Sequence, residues 1–444
     1  MKGSTLRNPA RSLVTAFAVA ASVTLVGCGG SSGSSDNLAA PPATSCSVLE
    51  QNEIILEVMQ DIYLWVDRMP DADPAAYSSP NAFLDALRVP EDRFSFLTSA
   101  AADQAFFGDG QFAGLGFQST QTGADEVRLS DVFELSPAAL GGLARGDRIL
   151  SVNGRPIAEV LMEEGFVASL GPPEVGVTVE LGWQNVDGDM FEFVFTKEVV
   201  TIPPVSPVNI VDTPGGRVGY FNFRAFVEPA DSALNAVFRE FLDSGVPELV
   251  VDLRYNSGGL LSIAEVLANL IGGLVTQGQI LYTLQYNDAN SFRDQTVPFR
   301  DTSNSLDLRR VVFITTRASA SASEMVINGL SPFLDVGLIG ATTFGKPVGQ
   351  LGFLFCDKIL RPVSFEVVNA AGEGDFFEGI SPDCVAADDL DEPLGDPAED
   401  SLAEALTFIQ NGSCSAAAVA GPATSGASKS ALRDAGPWRV FQAH

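Results

Sequence analysis

Short apolar runs at 219–223, 249–253, 309–315 and 336–340 alternate with helical patterning at 233–244, from Gly259 to about Leu270, and on through Leu330. Strands joined through helices cannot pair as tight hairpins. The alternation therefore predicts a largely parallel sheet, covered by its helices on both faces. In such a sheet reactive groups collect at the carboxyl ends of the strands. Three runs end in residues suited to that place: Arg254-Tyr255-Asn256-Ser257-Gly258-Gly259, then Ser319-Ala320-Ser321-Ala322-Ser323-Glu324, then Thr343-Phe344-Gly345-Lys346. This α/β core is expected over 201–414, closing with a helix at 400–410. A chain of 444 residues, 46% hydrophobic and 18% charged, is neither disordered nor fibrous. It has room for two or three domains.

Two other textures precede the sheet. Ile55, Val58, Met59, Ile62, Trp65 and Val66 recur at helical spacing over 52–68, and a second short helix fits 81–89 between Pro80 and Pro90. This small helical region, 46–104, reads as packing material with no chemistry of its own. From 105 to 200 the chain turns to short strands and glycine turns. Gly114-Leu115-Gly116-Phe117 is followed by Ser136-Pro137-Ala138, then by Gly146-Asp147-Arg148-Ile149-Leu150-Ser151-Val152-Asn153-Gly154. The succession resembles a PDZ domain. Its glycines let the backbone N–H groups of Leu115, Gly116 and Phe117 converge on a peptide carboxylate, beside a strand edge open to the peptide backbone.

The amino end reads as an address. Residues 1–27 carry Lys2, Arg7 and Arg11, then an apolar stretch too short to span a bilayer, and no acid. Leu25-Val26-Gly27-Cys28 resembles the bacterial lipoprotein cleavage box, with Cys28 as the lipidated residue. A Gly/Ser tether over 28–45 follows. The expected place is a bacterial cell envelope, lipid-anchored and facing the periplasm, with the outer membrane as the expected membrane. Four cysteines remain, an even number that suits disulfides in an oxidising compartment. Cys46 opens the folded part and Cys414 closes it, so the expected pairs are 46–414 and 356–384. Residues 415–444 are expected to be a disordered tail. Without the signal, 23 bases face 56 acids, a net charge of −33 that repels phosphate backbones and excludes nucleic acid as a partner.

The only histidine is His444, the last residue. That removes the Ser-His-Asp triad, the Cys-His pair and His-ligated zinc, and no metal or cofactor is expected. Around Ser321 a strand passes through small residues straight into a helix. The turn can expose a hydroxyl beside the free N–H groups and positive potential of a helix start. A serine needs a base, and lysine can serve if burial lowers its pKa. Of the five lysines (Lys2, Lys197, Lys346, Lys358 and Lys429), Lys346 follows a buried strand. The pair Gly258-Gly259 can bring backbone N–H groups close to a reacting carbonyl.

Together these residues resemble the carboxyl-terminal processing proteases, or tail-specific proteases, over about 50–410. The motifs that carry the resemblance are Asp252-Leu253-Arg254-x-Asn256-x-Gly258-Gly259, Ser319–Glu324, Thr343–Lys346 and Gly379-Ile380-Ser381-Pro382-Asp383. The resemblance implies a Clp-protease/crotonase-like α/β core with an inserted PDZ domain. It implies Ser321 as nucleophile, Lys346 as general base, Gln350 as the lysine's support, and the N–H groups of Gly258 and Ala322 as oxyanion donors. Ser319 and Ser323 remain alternatives for the nucleophile, although the spacing to Lys346 favours Ser321. Two departures stand out: Pro347 follows the lysine, and Pro332 replaces an aspartate usual in the family. Expected partners are unfolded or tagged proteins held by their carboxyl ends, with an oligomer or adaptor protein as a further partner. A non-catalytic PDZ lipoprotein with a degenerate core is the rival reading; a purely structural lipoprotein would leave the serine, lysine and glycine set without a use.

Overall fold

The structure is a computed structural model that describes residues 37–416 and 418. Cys28, the signal segment and nearly all of the tail after Ser415 lie outside the described residues. The central sheet runs in the order Val205–Thr213, Gly216–Phe223, Glu248–Asp252, Arg310–Thr315, Asp335–Gly340, Cys384–Val385. It is parallel from its second strand onward, and only the first pairing is antiparallel. Helices Ala230–Ser244, Leu261–Thr276 and Ala322–Leu330 cover one face with Phe221, Phe238, Leu267 and Val326 in one apolar cluster. Helix Asp400–Asn411 covers the other face with Leu402 and Ala405 against Val250 and Ile314. No helix among the described residues is long and apolar enough to cross a membrane.

A second, antiparallel sheet carries Gln295–Pro298, Ile280–Tyr286, Val363–Val368 and Val348–Gln350. The amino-terminal region joins the core through a third sheet, in which Phe96–Ser99 pairs with Lys358–Arg361. Its first helix is Val48–Ile62 and not 52–68. The Leu64 N–H leaves the helical ladder to bond Val363 O at 2.9 Å, so Trp65 and Val66 fall in a separate short turn. The second helix is Pro80–Leu87, capped by the Ser79 hydroxyl.

The PDZ region is an antiparallel sheet with Phe117–Gly123 and Met190–Thr196 at its two edges. Leu115 O accepts from Ala138 N (2.9 Å), and Gly116 O accepts from Phe133 N (2.8 Å). In planar trans peptides each of these carbonyls turns the N–H of its own peptide, that of Gly116 and that of Phe117, away from its donor. The Leu115 and Phe117 side chains are fully buried. Ion pairs tie this region to the core: Arg224 with Asp131 at 2.6 Å, and Arg145 with Asp388 at 2.8 Å.

The cysteines pair differently from expectation. The bridges are Cys46–Cys356 and Cys384–Cys414. Cys356 is at the turn between strands Gly352–Phe355 and Lys358–Arg361, packed with the amino-terminal helix whose start follows Cys46. Cys384 starts the outermost strand of the central sheet, where helix Asp400–Asn411 returns the chain to meet it. Order along the sequence was a poor guide, because the sheet brings the chain's middle to its ends.

Candidate active site

The three motifs come together at the carboxyl ends of adjacent parallel strands. Ser321 lies between strand Arg310–Thr315 and helix Ala322–Leu330, with φ 57° and ψ −116°. A non-glycine residue held there stores strain, and such strain concentrates at functional turns. Ser319 and Ser323 are both 0% exposed. Their hydroxyls donate to Leu253 O (2.8 Å) and Asn256 O (3.0 Å), and so tie the serine turn to the glycine loop. Of the three serines, Ser321 lines the cavity of about 300 Å³ that also contains Lys346, Gly259, Met325 and Gln350.

Lys346 is 8% exposed. Burial pushes its ammonium down to about 8, opposed by the Asp92 and Glu324 carboxylates and assisted by the Arg361 guanidinium. Its Nζ donates to Gln350 Oε1 at 2.5 Å. The Gln350 amide nitrogen in turn donates to Phe94 O (2.7 Å) and Arg361 O (2.9 Å). Two carbonyls on the nitrogen leave the amide oxygen as the end that faces the lysine. Pro347 lines the same cavity, and its carbonyl accepts from Val367 N (3.0 Å).

Glu324 had no assigned role from sequence, although the Ser-x-x-Glu spacing at 321–324 is a visible helix-start pattern. It is fully buried, and its carboxylate accepts from Ser321 N (2.8 Å), Thr343 Oγ1 (2.5 Å), Gly345 N (2.7 Å) and Lys346 N (2.8 Å). One carboxylate thus fixes the serine turn and the lysine turn to each other. Burial raises its pKa, with these donors acting in the opposite sense.

Gly258 adopts φ +98°, and a Cβ there would fall 2.8 Å from Ser321 Cβ and Ala320 O and 2.9 Å from Ala322 N. Its own N–H is directed to Asn256 Oδ1 at 2.9 Å. Gly258→Ala is expected to lower kcat by about 100-fold or more, since even a 3 kcal/mol displacement at this contact has that effect. Steady-state kinetics on the folded variant checks it, and unchanged turnover would contradict the close packing. The Cys384, Glu404 and Cys414 side chains are grouped at ligand spacing, but the two sulfurs are joined to each other.

The sequence signature of peptidase family S41 matches residues 217–386, that of the S41 N-terminal domain matches 50–96, and that of a PDZ domain matches 130–168. This chain belongs to peptidase family S41. The S41 signature spans all three motifs. The S41 peptidase is 25% identical over 307 residues to a carboxyl-terminal-processing protease of Synechocystis, covering 68% of this chain and 70% of that one. A solved structure assigned to the S41 proteases, from Bacteroides fragilis, superposes with a TM-score of 0.67 at 28% identity, covering 83% of this chain and 98% of that one. The photosystem II D1 C-terminal processing protease has the same fold, with a TM-score of 0.51 at 22% identity, over 78% of this chain and 94% of that one. The S41 peptidase has a Clp-protease/crotonase-like core with a PDZ domain and an N-terminal helical region.

Proposed function

We propose that this S41 peptidase is a serine endopeptidase of the carboxyl-terminal processing type, lipid-anchored through Cys28 in a bacterial envelope and acting on unfolded proteins. The observation that carries the reading is Lys346, buried, drawn down to about 8 and aimed by Gln350 in the cavity that Ser321 lines. Neutral Lys346 takes the Ser321 hydroxyl proton as Oγ bonds to the scissile carbonyl carbon. The resulting oxyanion meets the N–H of Ala322 in the first turn of the helix, and that of Gly258 shared with Asn256. The lysine ammonium returns its proton to the departing amine, and water repeats the sequence on the acyl-enzyme.

The PDZ region selects substrates by their carboxyl ends, through the N–H groups of Leu115, Gly116 and Phe117. A denatured protein should be cut by the parent and left intact by Ser321→Ala, whereas a binding-only protein would cut in neither case. That rival draws on the Gly258 N–H already engaged by Asn256. Amidating a peptide substrate's carboxyl terminus removes the charge the nest attracts, and should raise KM about tenfold with kcat little changed. Equal kinetics for the free and amidated peptides would remove the PDZ region from substrate selection.

A further inference from the structure

The amino-terminal region reads as packing from its sequence, yet it builds one wall of the lysine site. The Phe94 carbonyl holds Gln350 Nε2 at 2.7 Å, and the centre of the Phe94 ring is 5.8 Å from Lys346 Nζ. The turn that presents Phe94 is fixed by Asp92, whose Oδ1 accepts from Phe94 N (3.0 Å) and Ser95 N (2.8 Å). Ser95 Oγ accepts from Val363 N at 2.9 Å and so docks the turn on the core. Between them, Arg93 donates to Phe344 O (3.2 Å), Gly345 O (3.0 Å) and Phe377 O (2.9 Å), with its guanidinium 4.7 Å from the centre of the Phe344 ring. Of these four successive residues, Arg93 holds the lysine's own turn and Phe94 the amide that orients it, while Asp92 and Ser95 fix the turn that presents them.

We propose that the turn Asp92–Ser95 is a working part of the base site, in which Phe94 orients Gln350 and Asp92 is a positioning residue that supplies Lys346 with a buried counter-charge. The inference rests on Lys346 being the base of the reaction proposed above. Asp92 is 4% exposed, so its charge acts through little water. The charged groups that bear on Lys346 are the carboxylates of Asp92 and Glu324, which favour the ammonium, and the Arg361 guanidinium, which opposes it. Arg361 is itself paired with Asp103 at 2.6 Å, and Asp92 also faces the Tyr63 phenol, with Arg88 beyond. A carboxylate at this place keeps the lysine more basic than burial alone would leave it, so the ammonium formed in the first step is stable enough to persist until it protonates the leaving amine.

The test is Asp92→Asn, which keeps an oxygen for the Phe94 and Ser95 N–H groups, removes the charge and turns the second, buried oxygen into an amide NH2. In the Ser321→Ala background, lysines carrying ¹³C-methyl groups are titrated by NMR, with the Lys346 signal assigned by its loss in Lys346→Arg. The midpoint of Lys346 should fall by about 1 pH unit in Asp92→Asn. In the catalytically intact protein the rising limb of the kcat/KM profile should move down by the same amount, with KM unchanged. An unchanged midpoint in the folded variant overturns the proposal, because a merely structural turn would leave the titration where it was. Asp92→Ser, which also keeps an acceptor, takes its place if the asparagine variant does not fold. A shifted midpoint in a protein that cuts no substrate at any pH would sink the endopeptidase reading and leave the Asp92–Lys346 coupling standing.

Discussion

Lys346→Arg should fold normally and lose turnover by about 10⁴-fold or more, as far as Ser321→Ala. The base must be neutral when Ser321 gives up its proton. Lysine, drawn down to about 8 by burial, is neutral in a useful fraction at working pH. Arginine stays protonated at any such pH and keeps the positive charge without the lone pair. The parent's kcat/KM should accordingly rise with pH through about 8 and then level, falling about tenfold for each unit below that midpoint. Thermal melting separates a dead fold from a dead site. A folded Lys346→Arg protein with near-parental turnover would mean that another group takes the proton.

Glu324→Ala is the substitution expected to damage stability most. It leaves four donors without their acceptor: the N–H groups of Ser321, Gly345 and Lys346 and the Thr343 hydroxyl. At roughly 1 kcal/mol for each unmet donor, the loss is on the order of 4 kcal/mol, read from urea denaturation. Turnover should fail with it, because the serine and lysine turns lose the anchor they share. Glu324→Gln keeps one carbonyl oxygen and should fall between the two. Parental stability in Glu324→Ala would show that the four bonds are replaceable by water.

The pattern of apolar runs was sufficient to place four of the six central strands within about three residues, because strands buried on both faces leave an unbroken apolar signature; the two edge strands, Val205–Thr213 and Cys384–Val385, carry no such run. The turns that carry Ser321 and Lys346 could be placed for a related reason: each residue follows the end of such a strand by six positions, through small or turn-forming neighbours, whereas Gln350 ends a strand of the second sheet. What the sequence hid lies in contacts between distant segments. Nothing around Asp92 marks it as a neighbour of a lysine some 250 positions on, since its local work, capping a tight turn, is what an aspartate does in many loops. Arg361 is of the same kind, since its carbonyl meets Gln350 and its guanidinium meets Asp103 only through the fold's closure, and so is the Asn256 amide nitrogen that reaches Phe223 O, although the Asn256 oxygen serves its own turn. The disulfide pairs differ from expectation for that reason too, since one joins a hairpin turn and the other an edge strand to whatever the tertiary fold lays beside it.

The Cys46–Cys356 bridge also decides how the molecule carries a mechanical load. Any pull on the chain ahead of Cys46 passes through a covalent bond into the hairpin of Gly352–Phe355 and Lys358–Arg361, bypassing helix Val48–Ile62. The strand Asn37–Ala39 lies along the same hairpin, so traction and backbone pairing meet at one place. That hairpin ends at Arg361, whose carbonyl grips the amide that aims the lysine. A protein suspended from its amino end would therefore hang from a point one short hairpin away from its own general base, and a reductant that opened the bridge would transfer the tension to the helix instead.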